Sequence, residues 1–442
     1  MQTARFSVGA VPPPAATRIH RDRGCGPSSR TGTGVNVSDD APSMPAAERP
    51  ALDGVVVLDL GQIYAGPYCT HLLHALGATV IKVEPFGGEP IRWRAAGDAA
   101  GPAFLLLNAG KEGMRLDLKG DRGRELFLRL VRQADVVVEN FAPGTLERLG
   151  LGWDTLRAAT PRLILASGRA YGDHPAARGL RGMDITVQAM TGVVSATGFP
   201  DGAPVKAGAA VVDFAAGAHL AAAVLAALFQ RERTGTGQHV EVAMQDAILP
   251  ALTSNIAGLL EAGCEFPERT GNRHGGLSVC PYNVYPAADG WVAVLCLRPR
   301  HWIDLCAAMG RDDLAVDPDL ATAAGRAERM DQVDDALSAW TGALPRDEVV
   351  RRLQATDIPA APVRALAEVI EDPVLRDRGM LTELGHGDRT STVFGSPLQM
   401  GVASRRPGRP APLLGEDTDK ILRDRLGLDP GEIADLRDAG VV

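Results

Sequence analysis

The stretch VVVLDLGQIYAGPYCTHLLHALGATVIKVE, from Val55 to Glu84, holds two β-branched apolar runs separated by a segment of helical length, Pro67 to Leu76. Short runs that are apolar throughout suit strands buried on both faces, and a helix between two of them makes a βαβ unit. Outward from there the alternation continues through MRLDL, a helical stretch from about Asp121 to Arg132, VVVEN and LILASG. The reading is an α/β chain with a Rossmann-like, doubly wound parallel sheet. Ligands bind beyond the carboxyl ends of such strands, and these ends carry DLGQIYAGP, EPFGGEP, ENFAPG and SGRAYG. No GxGxxG follows the first run and no GxxxxGK followed by Ser or Thr occurs, so a nucleotide-bearing ligand has to be held differently.

Downstream, a helix from about Phe214 to Arg233 leads through TGTGQ to the strand HVEVAM and a second helical stretch near Gln245. VCPYNVYPA and WVAVLCL read as two strands around AADG, followed by a helix from about His301 to Met309. Helical patterns continue to about Leu366, and SPLQM and APLLGED suggest a return to the first domain. The expected organisation is a large α/β domain over 49–235 and 385–442, a linker and crossover over 236–275, and a smaller α+β domain over 276–384. Residues 1–48 are rich in Pro, Ser, Gly, Arg and Thr without an apolar period, which reads as a disordered leader. A transit-like presequence with Arg5, Arg18 and Arg21 competes with an overextended start ahead of a beginning near Met44. Pro12, Pro13 and Pro14 oppose a transit helix and favour the second.

At 442 residues, 45% hydrophobic and 23% charged, the chain is long enough for a full core and too apolar for disorder. Its net charge of −8 argues against nucleic acid as a partner. No run of about twenty apolar residues is evident, the nearest being His219 to Phe229, so no membrane association is expected. The cysteines Cys25, Cys69, Cys264, Cys280, Cys296 and Cys306 form no CxxC pair, which suggests neither a zinc site nor a disulfide framework and fits a reducing cytoplasm.

Asp213 is the one carboxylate in PVKAGAAVVDFAAGAHLAAAVLAAL, Pro204 to Leu228, where only Lys206 and His219 interrupt small and apolar neighbours. An ionised carboxylate is costly there unless it is hydrogen-bonded or opens onto a pocket, which suggests a group kept for chemistry. It would equally serve as the N-cap of the helix beginning near Phe214. Spacing alone leaves both readings open.

LDLGQIYAGPYCTHLLHALGATVIKVEP, LLNAGKEGMRLDLK, ENFAPGTLERLGLGWDTL, MDITVQAMTGVVSATG, VVDFAAGAHLAAAVLAAL, RTGTGQHVEVAMQDA and APLLGEDT occur in that order. With these motifs the chain resembles the class III coenzyme A transferase family, CaiB/BaiF type, from Leu52 to the C-terminus. The resemblance implies that Asp213 is a nucleophile that takes an acyl group as a mixed anhydride and then forms an aspartyl-CoA thioester, as a positioned, partly desolvated carboxylate can. It assigns coenzyme A to Tyr64, Ala65, Leu116, Lys119, Asn140, Phe141, Ala142, Arg148, Arg181, Gly182, Met183 and Asp184. Lys119, Arg148 and Arg181 suit the ligand's phosphates, and Asn140 and Phe141 suit hydrogen bonding and stacking against its adenine or pantetheine. Lys111 is taken as a surface lysine. The substrates implied are an acyl-CoA and small carboxylic acids, with no metal and no separate cofactor, in an interlocked homodimer.

Departures narrow this expectation. Met183 stands where the racemase branch has its His, and a thioether cannot shuttle protons, so transfer is favoured over inversion of a 2-methylacyl-CoA unless Asp184 or His174 takes over. His219, His71 and His74 are read as structural or exposed. Tyr64, and the short Gly275-Gly276 pair, weigh against oxalate specificity. Pro85 occupies a position that is basic in the family, so Arg92 or Arg94 is expected to substitute. A non-catalytic acyl-CoA-binding homologue is the remaining alternative.

Overall fold

Six strands, β1 (Val56–Asp59), β2 (Thr79–Glu84), β3 (Glu112–Arg115), β4 (Val136–Glu139), β5 (Ile164–Arg169) and β6 (His239–Ala243), form a sheet in the order β3-β2-β1-β4-β5-β6. Every pair in it is parallel. A computed structural model describes residues 49–93, 100–177, 179–386, 389–401 and 408–442. The expected leader, residues 1–48, and Arg94 lie outside the described residues.

The inner strands β1, β2, β4 and β5 are mostly apolar because they are covered on both sides. Leu58, Ile81, Val137 and Leu165 enter one core with the helices Asp121–Val131, Thr418–Leu426 and Pro430–Asp438. Their neighbours Val57, Val80, Val136 and Ile164 enter the other, with the first helix, Ala65–Ala75, and the long helix, Val211–Thr234. Each such buried side chain contributes roughly 1.5–3 kcal/mol. The C-terminal return is thereby physical: Ile421, Leu422, Ile433 and Leu436 close the face that β3 would otherwise expose.

A three-stranded antiparallel sheet follows, with β7 (Tyr282–Ala287), β8 (Gly290–Leu295) and β9 (Ala360–Pro362). It has its own core around Tyr285, Val292, Trp302, Leu305, Leu337 and Leu353. β10 (Leu381–His386) and β11 (Arg389–Phe394) form an antiparallel hairpin absent from the sequence reading.

The long helix corrects two expectations. It starts at Val211, three residues before Phe214, and runs 24 residues. The apolar run His219–Phe229 was judged too short for a membrane, but the whole helix and the stretch Met244–Glu265 are each long and apolar enough by length and composition. Half of the most apolar window of the first is buried in the fold, against 6% for the second.

Candidate active site

The strand order reverses between β1 and β4, and the loops leaving these two strands diverge to open a crevice. The loop after β1 runs Gly61 to Tyr64 into the first helix. Gly61 and Gly66 face each other so closely that a Cβ on Gly66 would lie 2.7 Å from the Gly61 Cα. Ile63, a β-branched residue, sits in the left-handed region at φ 64°. Such strain costs about 1–3 kcal/mol and persists only where surrounding contacts over-determine it.

Those contacts come from side chains that are buried or, for Asn140, half-buried. Gly61 N–H donates to Asp59 Oδ1 at 2.8 Å, and Lys82 Nζ donates to Gly61 O. Asn140 holds Gln62 at both ends, accepting from its N–H at 2.7 Å and donating to its carbonyl at 2.9 Å. Glu89 Oε2 accepts from Ile63 N–H at 3.2 Å. Beneath the loop, Lys111 donates to Asp59 Oδ2 at 2.9 Å, Thr70 Oγ1 at 2.8 Å, Asn108 Oδ1 at 2.8 Å and Pro67 O at 3.1 Å. Asp59, Lys82 and Lys111 are each 0% exposed. Lys111 is therefore a core residue, correcting its reading as a surface lysine. Burial pulls its ammonium down to about 8, against the pull of Asp59. Burial alone would raise the Asp59 carboxyl, but Lys111 and Lys82 hold it below its ordinary range.

Two adjoining clefts open around this loop. One, of about 430 Å³, is lined by Asp213 together with Gln62, Ile63, Ala65, Asn140, Phe141, Ala142, Arg169, Tyr171, Arg181, Gly182, Met183 and Met244 among others. The second, of about 270 Å³, is lined by Leu116, Lys119, Glu89, Thr145 and Leu149, and shares Gln62 and Phe141 with the first. Eight of the thirteen residues expected at the site thus border the Asp213 cleft, and Leu116 and Lys119 border its neighbour across Phe141. Gln62, Ile63, Arg169 and Met244 were missed. Gln62 and Ile63 sit in the quoted strand-end loop, where position alone was a usable signal. Arg169 is held by Glu139 Oε1 at 2.7 Å, a partner 30 residues earlier that no local pattern points to.

Tyr64 and Arg148 line neither cleft. Tyr64 stacks on Phe214, next to Asp213, with ring centroids 5.9 Å apart. Arg148 is exposed and donates to Thr145 Oγ1 at 2.7 Å, at the rim of the second cleft. Asn140 spends its amide on Gln62, so its place at the cleft is that of a clamp on the loop. Arg92, expected to meet the ligand, is 1% exposed and instead donates to Glu84 Oε1 at 2.9 Å and Pro412 O at 3.0 Å. It fastens β2 to the C-terminal return.

Asp213 is not the helix cap. The helix begins at Val211, placing Asp213 inside the first turn, and the capping carboxylate is Asp184. Asp184 Oδ2 accepts from Val212 N–H at 3.0 Å and Asp213 N–H at 3.2 Å, while Gln188 donates to its Oδ1. Both oxygens of Asp184 are thus turned to the protein rather than to a ligand. The Asp213 carboxylate has no hydrogen-bond partner among the described residues, is 7% exposed, and borders the cleft. Burial first, and the Asp184 charge second, push its pKa up to about 7. No histidine borders the Asp213 cleft among the described residues. His219 is exposed and its ring meets Ala215 O, whereas His71 is buried against Gly395 O and pulled down to about 4 by burial.

Residues 52–418 match the family model described as CoA-transferase family III. The chain belongs to that family. Among family III relatives, a succinyl-CoA:mesaconate CoA-transferase of Haloarcula hispanica is 40% identical over 394 residues, covering 86% of this chain and 98% of that protein. A formyl-CoA:oxalate CoA-transferase of Streptomyces coelicolor is 35% identical over 408 residues, covering 89% and 99%. A CaiB/BaiF family protein from Brucella suis, solved as a crystal structure, superposes with a TM-score of 0.76 at 31% identity over 85% of this chain and 100% of that one.

The first helix contributes Ala65 to the wall of the Asp213 cleft, and its distance from Asp213 is fixed by Gly217, one helical turn on. A Cβ there would lie 2.7 Å from Ala65 O and 3.1 Å from the Tyr68 ring. Gly217→Ala should push the two helices apart and lower kcat about tenfold or more, since misplacement by about 1 Å costs up to 10²-fold. Steady-state kinetics on a variant whose circular dichroism matches the parent checks this; an unchanged kcat would disprove the fixed-wall argument.

Proposed function

We propose that this family III enzyme moves coenzyme A from an acyl-CoA donor to a small carboxylic acid, with Asp213 as the covalent relay. One Asp213 oxygen attacks the thioester carbonyl, the C–S bond breaks, and CoA leaves as thiolate from a mixed anhydride. The thiolate then attacks the Asp213 carbonyl and releases the donor's acid, leaving an aspartyl-CoA thioester. The acceptor carboxylate attacks that thioester and expels CoA thiolate, giving a second mixed anhydride. The thiolate then attacks the acceptor's acyl carbon, the anhydride C–O bond breaks, and acceptor-CoA leaves as the Asp213 carboxylate is regenerated. No electrons or net protons are exchanged, so neither metal nor redox cofactor is required.

The observation that carries this reading is a buried carboxylate with no hydrogen-bond partner among the described residues, bordering a cleft that continues past Phe141 to Lys119. A carboxylate placed so is costly to the fold and suited to attack, because little solvation has to be stripped from it. The second cleft suits the nucleotide end of the ligand, with Lys119 and Arg148 meeting phosphate and Phe141 lying along the arm. Arg181 would meet phosphate from the Asp213 cleft, which it borders. Succinyl-CoA is a reasonable first donor, and mesaconate and oxalate, which the names of two relatives of this chain pair with succinyl-CoA and formyl-CoA, head the acceptor panel. Incubating enzyme, donor and a panel of carboxylates should yield new CoA thioesters by mass spectrometry; acyl-CoA binding without any new thioester would favour a non-catalytic binder. Inversion of a 2-methylacyl-CoA has less support because Met183 stands at the position of the proton-transferring His.

The reading includes an interlocked homodimer. Ile256, Leu259, Leu260, Leu366 and Val374 on the connecting segments are exposed and apolar, as surfaces awaiting a second copy are. Sedimentation at twice the chain mass supports it, and a monomer at working concentration contradicts it. A reducing, cytoplasmic setting is proposed on the same footing, with five described cysteines unpaired.

A further inference from the structure

The loop that borders both clefts is held by three buried side chains, Asp59, Lys82 and Glu89, and by half-buried Asn140, and all but Glu89 act on residues with ordinary backbone geometry. Glu89 is different. It lies in the loop after β2, is 2% exposed, and its Oε2 accepts from the N–H of Ile63, the loop residue at φ 64°, and from Ile91 N–H at 3.1 Å. Glu89 is itself tethered: its N–H donates to Glu84 Oε1 at 3.0 Å, and that same oxygen accepts from Arg92 Nε at 2.9 Å. The other Glu89 oxygen, Oε1, is buried without a hydrogen-bond partner among the described residues. A carboxyl half-satisfied in the interior is a poor way to add stability. It is a good way to fix one backbone N–H from a rigid support.

We propose that Glu89 is a positioning residue for acyl transfer, holding Ile63 in the left-handed turn that sets the Gly61–Ala65 wall of the cleft against Asp213. The mechanical link is short. Ile63 precedes Ala65 by two residues, Ile63 and Ala65 both border the Asp213 cleft, and the Ala65 carbonyl packs on Gly217 of the helix that carries Asp213. Without an acceptor at Glu89, Ile63 relaxes toward negative φ, as a β-branched residue prefers, and the wall moves.

This inference rests on the proposed role of Asp213, and its test is a double-mutant cycle that reads separately from that role. Glu89→Ala should lower kcat by about 10–100-fold, as loss of alignment does, with a smaller change in KM for the acyl-CoA. Ile63→Gly removes the preference for negative φ, so in that background the cost of Glu89→Ala should shrink to about threefold or less. Glu89→Gln keeps a carbonyl acceptor and should stay within about threefold of the parent. A folded Glu89→Ala enzyme with parental kcat overturns the proposal, as does a cost that is undiminished by Ile63→Gly. If Glu89→Ala does not fold, a tenfold or greater kcat loss in folded Glu89→Gln overturns it and a parental rate supports it. Failure of the cycle leaves the Asp213→Ala result untouched, and an active Asp213→Ala enzyme leaves the cycle readable.

Discussion

Asp213→Ala is expected to lose CoA exchange by on the order of 10⁴-fold or more, the scale seen when a covalent nucleophile is removed. The same change should not weaken the fold. The folded-state pKa of Asp213 is about 7 against an ordinary 3.8, so the folded chain holds this proton more tightly than the unfolded chain does. The folded state therefore loses stability as pH rises from about 4 to about 7, and the full penalty persists above that. At 1.36 kcal/mol per pKa unit the penalty is at most about 4 kcal/mol. Asp213→Asn, which removes the charge and keeps the shape, should raise Tm at pH 8 and leave it unchanged at pH 4. A variant that is less stable than the parent at pH 8 would mean that Asp213 serves the structure.

The second large effect is on the pH dependence of turnover. Only the ionised carboxylate attacks, so kcat/KM should rise about tenfold per pH unit below 7 and level off above it, a loss of roughly 10²-fold at pH 5. Part of that displacement comes from the Asp184 charge, behind burial. Asp184→Asn retains an acceptor for the Val212 and Asp213 N–H groups, so the helix stays capped while the like charge disappears. The rising limb should then move to lower pH. A limb that stays in place would assign the displacement to burial alone.

The large sheet was legible because strands covered on both faces leave short, mostly β-branched and apolar runs, and VVVLDL, TVIKVE and VVVEN are such runs. Their positions at the crevice followed from the βα alternation. The origin of the interior charges was less visible. Asp59 and Lys82 interrupt their strands and are direct cross-strand partners, a pairing that register supplies and sequence spacing does not. Lys111 looked like a surface cation and Arg92 like a ligand contact because their acceptors, Asp59 and Glu84, are not indicated by local sequence. The cap question was undecidable for the same reason: Asp184 lies 29 residues before Asp213 and meets its N–H only after folding. The strands of the β10–β11 hairpin are partly polar and β9 is only three residues, so no period marks them.

Rapid quenching of the enzyme with succinyl-CoA and an accepted carboxylic acid, followed by peptide mass mapping across Pro204 to Leu228, addresses the Asp213 relay most directly. The expected result is an acyl or CoA adduct on Asp213 that forms and decays at the rate of turnover. An unmodified Asp213 in an enzyme that is demonstrably turning over would contradict it.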